Sequence, residues 1–295
     1  MDIVDAQLHL GPHPVEPTLE AMDSLGIATV LIEEYWIDDP GKGPEGPIRP
    51  GFALTNGAWR SVYPVAQRAS ILYPDRFGYF VRLDRRDPDL ESVMRRIADE
   101  PGARGFRLLA TWSLEEALAL ADGFYDELFA IAEDIGLPVC VFVPGHVEAL
   151  PRYLRKFPKL QFVLDHAGMG MRGHPPGIAA EDQTRVTDPA YFSEVLKLAE
   201  HPNVAVKISH MPMLMQAGAF PFAPVRPYLR RAIEAFGADR LIWASDKTVM
   251  RTYTWADLLN YLLFDPELSQ DETAAILGGN ARRIFFGQPA IRRIS

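Results

Sequence analysis

One cysteine in 295 residues leaves no partner for an internal disulfide. Cys140 stands in the apolar run 138–143 and reads as a small buried side chain, since thiol catalysis needs an exposed site and a nearby base. A clustered basic stretch is also missing, and the formal net charge is -9. Neutralising phosphates takes a concentrated cationic face, so nucleic acid is not an expected partner. No segment approaches the roughly 20 apolar residues of a membrane helix, and the first residues form neither a basic leader nor a signal-type apolar region. No Gly-rich phosphate loop follows the first apolar run, which weakens a nucleotide-binding reading. What is left is a cytoplasmic enzyme acting on a small molecule, with no membrane partner.

What the chain has is alternation. Short β-branched or aromatic runs occur at 3–9, 28–33, 78–83, 105–109, 139–143, 161–165, 204–209 and 241–245. Helical patterns fill 18–25, 59–73, 89–99, 124–135, 147–157, 191–200, 226–236 and 255–264. One more, 269–285, opens with Ser269 and Glu272 in capping-box spacing. Eight such units predict a (β/α)8 TIM barrel with an extra C-terminal helix, in one domain over 1–295, with an open doubly wound sheet as the alternative. Gly- and Pro-rich loops at 36–58, 168–188 and 210–224 follow strands, which places function at the C-terminal strand ends. The segment 40–50 is long enough to cover the site or reach a partner, and a homo-oligomer is compatible with the sequence.

Polar residues that end apolar strands are the candidates for chemistry. His9 ends the first run; a period of two puts Gln7 on its face and Asp5 deeper on the same side. His166 and Asp246 end the sixth and eighth runs, Lys207 sits within the seventh, and His210 directly follows it. Arg82 and Arg107 belong to the third and fourth runs, and Lys247 follows Asp246. Each has an ordinary reading: a lone strand-end histidine is more often structural, an aspartate caps the next helix, and an arginine closes a salt bridge. Barrel closure would bring them to one rim, which favours the chemical reading of His9, His166 and Asp246. The histidines at 13 and 174 lie beside prolines in loops, His146 opens a helix and His201 begins a helix-to-strand turn, and all four carry less weight.

The segments Asp5-Ala6-Gln7-Leu8-His9-Leu10, Val163-Leu164-Asp165-His166-Ala167-Gly168, Trp243-Ala244-Ser245-Asp246 and Gly278-Gly279-Asn280-Ala281-Arg282-Arg283-Ile284-Phe285 resemble amidohydrolase-related proteins. More narrowly the chain is similar to the branch of 2-pyrone-4,6-dicarboxylate lactonase, sugar-acid lactonases and galactarolactone isomerase. That resemblance implies a (β/α)8 hydrolase acting on a lactone or related carboxylic ester. Many superfamily members start with His-x-His as metal ligands; here Gln7 replaces the first histidine, and the run 139–143 offers no strand-five ligand. An amide oxygen is a poor zinc donor, so a metal-free site is expected. Were a divalent metal such as zinc to bind, His9, His166 and Asp246 would be its ligands. The implied mechanism has Asp246 taking a proton from water, with His9 and His166 orienting the carbonyl and stabilising its developing charge. Gln7, Arg82, Arg107, Lys207, His210 and Lys247 are the expected substrate contacts. Lys247 could instead pair with Asp246 and lower its basicity. The alternatives are a metal-dependent hydrolase or decarboxylase of the same superfamily, a lactone isomerase, and a sugar-acid binding protein without catalysis.

Overall fold

The computed structural model describes residues 1–11, 14–35, 50–170 and 187–287. Eight parallel strands form one sheet: β1 (Ile3–Leu8), β2 (Ile27–Glu33), β5 (Phe77–Arg82), β6 (Ala103–Leu108), β7 (Val139–Val141), β8 (Phe162–Leu164), β9 (Val204–Lys207) and β10 (Leu241–Ile242), in that spatial order. Backbone bonds span the remaining seam, from Ala6 N to the Trp243 carbonyl at 3.2 Å and from Asp246 N to the Gln7 carbonyl at 3.0 Å. The nearly closed sheet is the expected barrel, with helices between the strands.

Strand alternation divides the apolar residues into two clusters. Val30, Ile32, Val139, Val141, Phe162 and Leu164 face the surrounding helices in the larger one. Val4, Ala6, Leu31, Phe80, Cys140, Val163, Ala205, Ile242 and Ala244 fill the barrel interior. Ala281 and Phe285 of the last helix (Asn280–Phe286) join them, with the rings of Phe285 and Phe80 at 5.0 Å, so the extra helix helps fill the barrel core. The preceding turn requires Gly278, because a Cβ there would lie 1.9 Å from the Asp2 carbonyl oxygen. The Ser269–Glu272 capping box is present.

Three local expectations change. Residues 59–61 form strand β4 (Trp59–Ser61), paired antiparallel with β3 (Gly51–Ala53), and the helix expected from 59 begins at Pro64. Asn56 Oδ1 accepts the Ala58 amide and Gly57 takes a φ of 81°, which makes this a hairpin turn. A helix at Leu114–Asp122, not expected, is capped by Ser113 and ends at Gly123 before the expected helix Asp126–Ile135. Asp5 does not share the face of Gln7 and His9. Pairing of β1 with β2 shifts register between Asp5 and Leu8, which changes the phase of alternation by one residue. Val4 and Ala6 therefore point inward, as do Gln7 and His9, whereas Asp5 accepts bonds at the seam from Ser245 N at 2.8 Å and Trp255 Nε1 at 2.8 Å.

Candidate active site

Two residues beyond the apolar interior level, the same strands place a charged level. Leu31 leads to Glu33, Phe80 to Arg82, Val163 to Asp165, Ala205 to Lys207 and Ala244 to Asp246, while Gly105 leads to Arg107. The strand of Cys140 continues with an apolar residue, Phe142. His166, His210 and Asp246 leave their strands with left-handed φ values of 49°, 63° and 46°. Side-chain-bearing residues adopt that region at a cost, and such strain concentrates where side chains must be aimed.

Asp246 is the centre of the cluster. Its Oδ2 accepts from His210 Nε2 at 2.8 Å and from Gln7 Nε2 at 3.3 Å. Oδ1 lies 3.1 Å from His9 Nε2 and has no hydrogen-bond donor. His9 Nδ1 is 2.9 Å from the Glu33 carbonyl, which can only accept, so the ring proton sits on Nδ1 when the imidazole is neutral. Burial lowers the His9 pKa, against the pull of Asp246. Burial also drives His166 well below the usual histidine range, with His210 adding to the effect. His166 Nδ1 meets Ser209 Oγ at 2.8 Å. Burial pushes the Asp246 carboxyl upward, but His9 and His210 overcome it and hold the pKa well below the ordinary value.

The other charges compensate one another. Arg107 reaches both Glu33 and, at 2.6 Å, Asp165, while Arg82 bonds the second Glu33 oxygen and lies 4.4 Å over the Tyr35 ring. Lys207 is fully buried, 2.9 Å from Asp165 and 4.5 Å over the Phe80 ring. Arg107 and Lys207 lower the Asp165 pKa against its burial. Isolated ions would not survive here; three cations and three carboxylates interleave instead.

Above this level is a cavity of about 170 Å3. His9, Arg82, Arg107, His166, His210 and Asp246 give it an ionisable side, and Leu109, Trp112, Phe142, Met169 and Val249 an apolar one. The structure therefore brings together six of the expected residues. Gln7 and Lys207 lie below the cavity and do not line it, because the interior phase of their strands turns them toward each other. Lys247 does not line it either, and makes no ion pair with Asp246; it opens the turn at 247–249 that follows the left-handed Asp246. Substrate contact by these three is not supported by their placement. Sequence reasoning passed over Glu33 and Asp165 as site residues, although each is a charge ending an apolar strand, the same signal that marked Asp246. Trp112, Met169, Val249 and Arg251 carried no such signal. The histidines at 13 and 174 and most of the loops at 36–58 and 168–188 lie outside the described residues.

The ligand atoms of His166, His210 and Asp246 all lie within 4.8 Å of one another, close enough to hold an ion, and His9 is not part of that group. Orientation opposes it. The two imidazoles stack at 3.9 Å with planes 7° apart, so their lone pairs run side by side. An ion at the usual distance of about 2 Å from both nitrogens would sit well out of both ring planes, where neither presents a lone pair. The stacked rings would have to part for one ion to meet both nitrogen lone pairs in plane.

The family model for amidohydrolases matches residues 5–287. An L-fucono-1,5-lactonase from Burkholderia ambifaria is 30% identical over 216 residues, covering 69% of this chain and 68% of that protein. An amidohydrolase from Burkholderia multivorans, crystallised with bound zinc, superimposes with a TM-score of 0.69 at 15% identity, over 97% of this chain and 99% of that one. A Pseudomonas putida protein carrying the name 2-pyrone-4,6-dicarboxylic acid hydrolase gives a TM-score of 0.66 at 19% identity, over 97% of each chain. The two solved structures share the fold; the family match runs through β1, the polar strand ends and the last helix. The chain belongs to the amidohydrolase family.

Proposed function

We propose that this protein hydrolyses a lactone of the sugar-acid or carboxylated class, without a metal, using Asp246 as the proton acceptor. The carrying observation is the asymmetry of the carboxylate of Asp246, a residue that lines the cavity: Oδ2 is engaged by His210 and Gln7, and Oδ1 has no hydrogen-bond donor. Water attacks the ring carbonyl and gives its proton to Oδ1; that proton passes to the ring oxygen as the carbon–oxygen bond breaks, leaving a hydroxy acid. The depressed pKa keeps the carboxylate ionised at neutral pH and also weakens it as a base, so it needs a well-placed water.

Stabilising the developing oxyanion takes N–H groups. A neutral His9 has its ring N–H directed at the Glu33 carbonyl, and a neutral His166 with its Nδ1–H on Ser209 has none to spare. The guanidinium groups of Arg82 and Arg107 line the cavity and retain further N–H groups, which favours them over the imidazoles for this role. Similarity to a lactonase at 30% identity supports the substrate class.

The test is a panel of sugar-acid and carboxylated lactones, followed by proton release and by NMR of the product. Hydroxy acid is expected, at a rate that survives chelation. Asp246→Asn should lower kcat by about 10²- to 10⁴-fold, the usual scale for a positioned acid or base. Turnover by this variant at the native rate would overturn the reading.

A further inference from the structure

Below the cavity, a buried cation and a buried amide stand in line with Asp246. Lys207 Nζ lies 3.2 Å from Gln7 Oε1, and Gln7 Nε2 lies 3.3 Å from Asp246 Oδ2. All three side chains are buried, and β9, β1 and the segment after β10 supply them. The chemistry forces the orientation of the amide. An ammonium group only donates and a carboxylate only accepts, so Oε1 must face Lys207 and the amide N–H must face Asp246. Reversing the amide would put Nε2 against Nζ and Oε1 against Oδ2, leaving like partners facing in a dry interior.

We propose that Lys207 is a positioning residue that acts through Gln7 to set which oxygen of Asp246 is free for chemistry. Lys207 is itself held by Asp165 at 2.9 Å and by the Phe80 ring at 4.5 Å, with the Cys140 thiol beside it. With the amide locked, Oδ2 receives both Gln7 and His210, and Oδ1 is left without a donor. Without the ammonium group, the Gln7 amide can turn over and Oδ2 loses one of its two donors. Fixed cation and amide thus order this carboxylate from outside the cavity lining. This inference rests on the proposed lactonase reading only for its kinetic arm.

The side-chain amide of Gln7 provides a readout that does not depend on activity. In protein labelled with 15N-glutamine, the signal lost in Gln7→Leu identifies it. Lys207→Met should move that signal and speed its hydrogen exchange, and should lower kcat by roughly 10- to 100-fold, the rate equivalent of one hydrogen bond to a charged group, with little change in KM. Lys207→Met and Gln7→Leu should not be additive in kcat, since each breaks the same line. Lys207→Met leaves Asp165 with one cation fewer, so Lys207→Met/Asp165→Asn, which removes the pair together, guards against simple misfolding. The Gln7 signal should move there as well. An unmoved Gln7 signal in both folded variants, or additive losses in kcat, would overturn the proposal. Absence of lactone turnover by the native protein would sink the functional reading alone, and the NMR comparison would still decide the role of Lys207.

Discussion

Two neighbouring levels of the barrel interior come from the same strands, two residues apart, and have opposite chemistry. The lower holds Leu31, Phe80, Cys140, Val163, Ala205 and Ala244, with Phe285 packed among them; the upper holds Glu33, Arg82, Asp165, Lys207 and Asp246. Burial stabilises the first directly, at about 25 cal/mol for each Å2 of apolar surface removed from water. In the second, burial is unfavourable and tolerated because the arginines and Lys207 pair with Glu33 and Asp165, while Asp246 is hydrogen-bonded by Gln7 and His210. The difference teaches where the barrel keeps its stability and where it keeps its chemistry.

Perturbing the levels separately sharpens that division. Phe285→Ala, which empties a ring position in the lower level, should cost about 3–5 kcal/mol in unfolding free energy while KM for an active lactone stays as it was. Denaturant unfolding and steady-state kinetics check both halves; a large change in KM with stability intact would break the division.

A smaller effect is expected at Asp5, which the register shift removed from the interior. Burial raises its pKa from 3.8 to about 6, offset in part by bonds from Ser245, Gln7 and Trp255. Because the folded value exceeds the unfolded one, the contribution of this group is most favourable below pH 3.8 and is lost as pH rises through about 6. The loss amounts to about 3 kcal/mol at most, and Asp5→Asn should flatten the slope between pH 4 and 6. Urea midpoints at several pH values measure it; an unchanged slope in the variant would assign the titration elsewhere.

Least of all should change at Cys140, in the lower level. Burial pushes its thiol up to about 12, so a thiol reagent should label it only after unfolding. Cys140→Ala should cost roughly 1 kcal/mol and leave kcat alone. Rapid labelling of the native protein would show that the lower level is open to solvent.

Much of this was legible in the chain. Eight apolar runs separated by helical patterns called for the barrel, and the charges ending those runs marked His9, His166 and Asp246. The hairpin at 51–61 escaped notice because its strands are three residues each and carry no sustained alternation. Asp5 was misplaced because a bulge leaves no mark in a period-two pattern. Lys207 was correctly turned inward, yet its depth relative to the cavity depends on strands it meets only in the closed sheet.

Local pattern by itself determined the number of barrel strands, the direction they run and the residue types at their ends, since alternation and helix spacing are properties of adjacent residues. Tertiary structure alone decided which charge faces which: Glu33 between two arginines, Lys207 against Gln7, one Asp246 oxygen engaged and the other free. Those pairings join residues up to 239 positions apart, and electrostatics acts through space rather than along the chain.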